Sequence, residues 1–250
     1  MLARTIEQAL AEVVDRHRVL YEDQTIDARL RAIIRAGAHT NVTEDEVLHI
    51  LRRSRSVFFD THVEVVSGHH TATYLRFESI ARFPELIRQV AGDMAGWIRR
   101  AFQHRSITGL VATSSAAELL AQEIVDVLHD TMGLRVALTP YSCETGRIGT
   151  DINVGVIKSG ERFLALNDVT TRGNCVSKLG KVITDTGGVS AGMMVFARRD
   201  SGQFPLMNEL IARHPFYYTT DLDMPQWEPA YCPLCSEKKP LLSWKDMPAL

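Results

Sequence analysis

The chain has 250 residues, 45% hydrophobic and 23% charged, with a formal net charge of −2, which places it among globular proteins able to bury a sizeable core. That charge balance removes any bulk electrostatic case for nucleic acid or an anionic membrane, so an anion site has to be local. No run approaches the roughly 18 consecutive apolar residues of a membrane-spanning helix, and the start, with Arg4 and Glu7, lacks a secretory pattern, so a cytoplasmic location is expected.

Leu2, Ile6, Ala9, Leu10, Val13, Val14, His17 and Leu20 recur at helical spacing between charged residues. Ile26, Leu30, Ile33 and Ile34 continue the pattern until Gly37, and Thr43 with Glu46 forms a capping box that opens a third helix. Residues 1–56 therefore read as a helical amino-terminal extension. His39, His49 and His62 are scattered over this region and read as ordinary surface or core histidines.

Val57 to Val66 reads as extended, followed by a polar turn from Ser67 through Gly68, His69 and His70 to Tyr74. His69 and His70 suggest a metal pair at first sight, but neighbouring side chains on an extended segment diverge, so one ion rarely takes both. After Pro84 a long helix carries Leu86, Ile87, Val90, Met94, Trp97, Ile98 and Phe102 on one side, which makes Trp97 a core residue rather than a stacking platform.

Strands are then expected at 107–112, 134–138, 153–157, 163–166 and 192–197, with helices at 115–129 and 175–183. Such alternation argues for an α/β fold with a mostly parallel central sheet and helices on both faces, over residues 57–200. Ligands on such sheets sit at the carboxyl ends of strands. At one such end Asn167 and Asp168 can accept hydrogen bonds from sugar hydroxyls. The turn Thr170, Thr171, Arg172, Gly173 and Asn174, opening a helix, presents free N–H groups to a phosphate. An ordinary Asn-Asp turn would look the same by pattern alone.

From Ser201 prolines recur, and beyond a short helix at 206–211 residues 201–250 read as a wrapped tail. It contains Cys232 and Cys235, two of only four cysteines and spaced for a shared metal. Structural Zn2+ would need two more ligands, from Cys143, Cys175, a histidine or another subunit; buried thiols and a redox pair are the alternatives.

The stretch Phe163 to Asn174 resembles the phosphoribosyl pyrophosphate signature of type I phosphoribosyltransferases: four apolar residues, two acids, then a threonine- and glycine-rich loop. Ser67 to Tyr74 with Arg82 to Leu86 is similar to the amino-terminal region of orotate phosphoribosyltransferases. The resemblance implies a base nitrogen displacing pyrophosphate from ribose carbon 1, with Mg2+ on the small-molecule substrate and a homodimer as the assembly. It implies Asp168 and Asn167 at the ribose, Thr170 to Asn174 at the 5′-phosphate, Ser114, Ser115 and Arg147 near pyrophosphate, and His69 to Tyr74 near the base.

Three departures stand out. Asn167 replaces the first acid; the segment Ala112 to Glu118 has no lysine; and the loop at 141–150 has Arg147 as its only cation. A neutral amide accepts a weaker hydrogen bond than a carboxylate. An enzyme is thus weighed against a non-catalytic phosphoribosyl pyrophosphate- or nucleotide-binding regulator, and against an interaction module built on the tail.

Overall fold

The structure is a computed structural model that describes residues 5–35, 41–102, 107–199 and 204–250. Leu2, Arg4, Gly37, His39 and Ser201, used in the sequence reading, lie outside these residues. Helix α1 (Ile6–Glu22) starts on Thr5, whose hydroxyl accepts from the Gln8 N–H while Gln8 returns onto the Thr5 N–H. Helix α2 (Thr25–Ile33) runs into the short strand β1 (Ile34–Arg35), and α3 (Glu44–Ser54) opens on the expected box between Thr43 and Glu46. The helical block is not a separate appendage. Ile26, Leu30, Val47 and Leu51 share a core with Leu110, Leu164 and Phe196 of the sheet.

Next come β2 (Val57–Phe58), β3 (Val63–Glu64), β4 (His70–Thr71) and β5 (Tyr74–Leu75), then α4 (Phe77–Ala81) and α5 (Pro84–Ala101). Strands β3 and β4 pair antiparallel around the expected Ser67-Gly68 turn, where Gly68 takes φ of 78°. Trp97 lies half-buried on α5, stacked on Tyr217 with centroids 5.1 Å apart, which agrees with a packing role.

Strand β6 (Gly109–Thr113), α6 (Ala116–Met132), β7 (Arg135–Thr139), β8 (Arg162–Thr170), α7 (Asn174–Asp185) and β9 (Val189–Arg199) follow in the expected alternation. They are succeeded by α8 (Pro205–Arg213), β10 (Phe216–Leu222), β11 (Gln226–Trp227), the one-turn α9 (Pro233–Ser236) and β12 (Leu242–Ser243). The central sheet has the order β1-β10-β9-β8-β6-β7, with β1 antiparallel to β10 and every other pair parallel. Alternate residues of β8 face opposite sides: Leu164 and Leu166 join the core under α5 and α6, and Phe163 and Ala165 join the one under α7.

Two expectations fail. Residues 153–157 form no strand: Val154 makes a single bridge to Leu138, Gly155 turns with φ of 77°, and Val154 and Val156 face solvent. Nor is 192–197 the last core strand. Phe216 to Thr220 is an aromatic and β-branched run that enters the central sheet as β10, and the surrounding prolines masked it. The sheet thus runs across the division drawn at residue 200. Only the part after residue 222 wraps: β11 and β12 flank β4 and β3 in a second small sheet, and Leu242 and Met247 pack on Val63, Val65 and Phe58. Among the described residues, no helix is long and apolar enough to cross a membrane.

One buried carboxylate ties three regions together. Asp93 of α5 accepts from the Tyr217 and Thr219 hydroxyls, each at 2.8 Å, and from the N–H groups of Asn41 at 2.8 Å and Val42 at 3.3 Å. Asp93→Ala leaves all four donors without their acceptor. It is expected to lower unfolding stability by ~3–5 kcal/mol, read as a drop in the urea midpoint with an unchanged m-value.

Candidate functional site

A cavity of about 340 Å³ opens at the carboxyl ends of β6 and β8, roofed by the turn between β3 and β4 and by Trp244 of the tail. Asn167, Asp168, Thr170, Thr171, Arg172, Asn174 and Ser115 all line it. These come from the end of β8, the turn after it and the start of α6; the rest of the wall comes from elsewhere in the chain.

Strand β8 delivers the central pair. It continues past Leu166 through Thr170, because β9 pairs with it as far as Thr170 opposite Arg198. Asn167 is buried, and its side-chain amide donates to the Val169 carbonyl at 3.0 Å, leaving Oδ1 as the free acceptor. Asp168 is half-buried and accepts from the Val169 N–H at 2.8 Å. Burial, and then the nearby Glu78, raise its pKa to about 6, with the Val169 N–H and Arg199 opposing them.

The turn after β8 is built on Gly173. It holds φ of 81°, which disfavours any side chain, and a Cβ there would lie 2.7 Å from a methyl of Leu210 of α8, which would have to shift. The Gly173 N–H donates to Thr170 Oγ1 at 3.2 Å, closing the turn, and α7 begins at the next residue with its first N–H groups lacking intrahelical partners. Thr171 Oγ1 accepts from Arg199 Nε at 3.1 Å and from Gln226 Nε2 at 3.3 Å. Arg172 stacks over Phe204, 4.9 Å from the ring centroid.

On the opposite side, Ser115 caps α6 by accepting from the Ala117 N–H, and its hydroxyl lies 2.8 Å from Thr113 Oγ1. Ser114 and Gly173 are not in the cavity wall. Nor is Arg147, which is exposed, although Gly146 and Ile148 on either side of it do line the cavity. A Cβ on Gly146 would meet Val66 at 2.6 Å and Trp244 at 3.3 Å, so this loop tucks under the roof.

The sequence reading missed most of the cations. Arg76, Lys178 and Arg199 join Arg172 in the wall, against the carboxylates of Glu78 and Asp168. Arg76 pairs with Glu78 at 3.2 Å and donates to the Trp244 carbonyl at 3.4 Å. Tyr74 and Tyr141 complete the wall; burial, and next Asp168, hold the Tyr141 phenol well above its ordinary value. The cavity thus carries four cationic side chains against two carboxylates inside a chain of net charge −2. Lys178 had a signal: it lies four residues after Asn174, on the same helix face.

Outside the cavity, Cys232 and Cys235 meet His62 and His70, with one ligand atom from each lying within 4.8 Å of all the others. The neighbours His69 and His70 do diverge, as expected: His69 turns to Ser67 and His70 inward to His62. His62, read as an ordinary histidine, is in this cluster. Cys143 is exposed and Cys175 lines the cavity, so neither joins it.

No family model matches the sequence. The orotate phosphoribosyltransferase of Heliobacterium modesticaldum is 25% identical over 201 residues, 80% of this chain and 97% of that protein. That of Thermus thermophilus is 27% identical over 197 residues, 78% of this chain and 98% of that one. The UMP synthase of Leishmania donovani superposes with a TM-score of 0.52 at 18% identity, over 68% of this chain and 34% of that longer one. The chain is orotate phosphoribosyltransferase-like, with the type I phosphoribosyltransferase fold.

In an orotate phosphoribosyltransferase-like chain Asp168 stands alone as the acid of the signature, and its raised pKa has a stability consequence. In the unfolded chain the group ionises near its ordinary value of 3.8, and in the folded chain near 6. Folding therefore favours the protonated acid, and this contribution is complete below about pH 4 and lost as pH rises through 6. Asp168→Asn is accordingly expected to be more stable than the parent by ~1–3 kcal/mol at pH 7.5. The difference should vanish towards pH 4, as urea unfolding at a series of pH values would measure.

Proposed function

We propose that the protein transfers the 5-phosphoribosyl group of phosphoribosyl pyrophosphate to a nitrogenous base and releases pyrophosphate. The supporting observation is that one cavity joins a helix-opening Thr170–Asn174 turn, the Asn167 and Asp168 acceptors and a wall of four cationic side chains. A substrate with a phosphate, a diol and a diphosphate needs those three features in one place.

The transition state of such a transfer is a ribosyl cation with a departing polyanion, so groups that strengthen their hold as charge develops accelerate it. The N–H groups of the Thr170–Asn174 turn other than that of Gly173, which Thr170 Oγ1 takes, and the Thr171 hydroxyl anchor the 5′-phosphate, with Arg199 steadying Thr171. Asp168 and Asn167 Oδ1 accept the ribose hydroxyls, and the Asp168 carboxylate faces the developing cation. Arg76 and Ser115, across the cavity, stabilise the pyrophosphate, and Arg147 lies outside the wall between Gly146 and Ile148, which line it. Tyr74 borders the base.

Mg2+ fits this donor set: it prefers oxygen ligands and is commonly held by one or two carboxylates together with substrate phosphates, here Asp168 and the substrate's own oxygens. When bound, it would neutralise charge on the diphosphate. The reading also carries a cytoplasmic location and a homodimer, which sedimentation would test.

Pyrophosphate release measured with phosphoribosyl pyrophosphate, Mg2+ and a panel of pyrimidine and purine bases tests the proposal. Turnover is expected with at least one base, and Asp168→Ala is expected to lower kcat at least ~100-fold. The neutral Asn167 favours a second reading, a binding protein without turnover. Ligand binding with no release from any base would establish that reading instead.

A further inference from the structure

The tail and the hairpin β3–β4 meet at four side chains that the phosphoribosyl site does not use. His62, His70 and Cys232 are buried, and Cys235 borders solvent. His62 Nε2 is 3.1 Å from His70 Nδ1, 3.5 Å from Cys232 Sγ and 3.6 Å from Cys235 Sγ, and Cys235 Sγ is 3.2 Å from His70 Nδ1.

These separations match the edges of a ligand tetrahedron. With zinc–sulfur bonds of about 2.3 Å and zinc–nitrogen bonds of about 2.05 Å, tetrahedral angles require roughly 3.4 Å between nitrogens and roughly 3.6 Å between nitrogen and sulfur. None of these four separations departs from those values by more than a few tenths of an ångström, and the two remaining pairs, Cys232 with His70 and with Cys235, lie within 4.8 Å. His62 is also oriented for ligation: its Nδ1 lies 3.0 Å from the Lys239 carbonyl, which fixes the proton there and leaves Nε2 bare.

Local structure explains how the four converge. The register Val63 opposite Thr71 and Glu64 opposite His70 puts His62 and His70 on one face of the hairpin as diagonal neighbours. Cys232 and Cys235 sit on the single turn of α9, closed by Ser236 N–H to Cys232 O and Lys238 N–H to Cys235 O, with Lys238 in the left-handed region. That turn brings two thiols to one side across two residues.

We propose that His62, His70, Cys232 and Cys235 form a structural zinc site that staples the carboxyl-terminal tail onto the hairpin roofing the cavity. Binding releases the two thiol protons and forms two zinc–sulfur and two zinc–nitrogen bonds, with no change of oxidation state. Four protein ligands close the coordination sphere, so the ion is structural and leaves no position for a substrate. The staple holds Trp244 and the Ser67 turn in the cavity wall. The site does not depend on which reaction the cavity performs.

The full-length protein, purified with reductant and without chelator from zinc-supplemented culture, is expected to contain close to one zinc per chain by elemental analysis. Cys232→Ser and His70→Gln should each cut the content at least tenfold, while Cys143→Ser should leave it unchanged. Metal-free protein given Co2+ should show the visible bands of a tetrahedral thiolate site, and chelation should lower Tm. Should the variants fail to fold, metal content and the cobalt spectrum of the parent still decide. Reduced parent protein with less than a tenth of a zinc per chain and no cobalt spectrum would overturn the proposal. So would mass spectrometry of freshly blocked protein showing a Cys232–Cys235 disulfide.

Discussion

A carboxylate held partly out of water at the end of a buried strand is the constraint on which the site depends. Asp168 follows four fully buried residues, Phe163 to Leu166, so its backbone is fixed by the sheet and its side chain has one direction to face. Burial and Glu78 raise its proton affinity, and backbone N–H groups, that of Val169 first, together with the Arg199 charge oppose them. A group kept this way gives up stability at neutral pH in exchange for a charge poised at a cavity. Asn167 in the neighbouring position avoids a second carboxylate beside it. That choice eases the burial of Asp168 and weakens the grip on a diol.

The Thr170–Asn174 turn depends on parts of the chain that lie far from it in sequence. Gly173 leaves room for Leu210 of α8, and Thr171 is held by Arg199 of β9 and by Gln226 from β11. The roof comes from the hairpin at 63–71 and from Trp244, with the loop at Gly146 tucked beneath both. Residues after 200 are therefore structural components of the site, through a helix, a strand of the small second sheet and a cover.

Much of this was legible in the sequence where local patterns decide. The Thr43 box, the polar turn at Gly68, the buried strand at 163–166 and the Thr170–Asn174 turn each carry their information within a few residues. The cations did not. Arg76 and Arg199 are separated from Asp168 in the chain and meet it only through the roof and the β8–β9 pairing. His62 and His70 gave a weak signal, a matched pair on one hairpin face, that becomes meaningful only when α9 brings the thiols across. Strand β10 was hidden because prolines dominate its surroundings, although Phe216 to Thr220 has strand composition. Residues 153–157 misled for the opposite reason: alternating Val154 and Val156 suggested a strand that Gly155 breaks.

The central claim is that the cavity beside Asp168 is a phosphoribosyl diphosphate site, and a crystal structure of the protein with phosphoribosyl pyrophosphate and Mg2+ tests it most directly. The account predicts the 5′-phosphate on the N–H groups of the Thr170–Asn174 turn, the ribose diol at Asp168 and Asn167, and the diphosphate towards Ser115 and Arg76. A ligand bound elsewhere, or with its diphosphate in the Thr170–Asn174 turn, would contradict it.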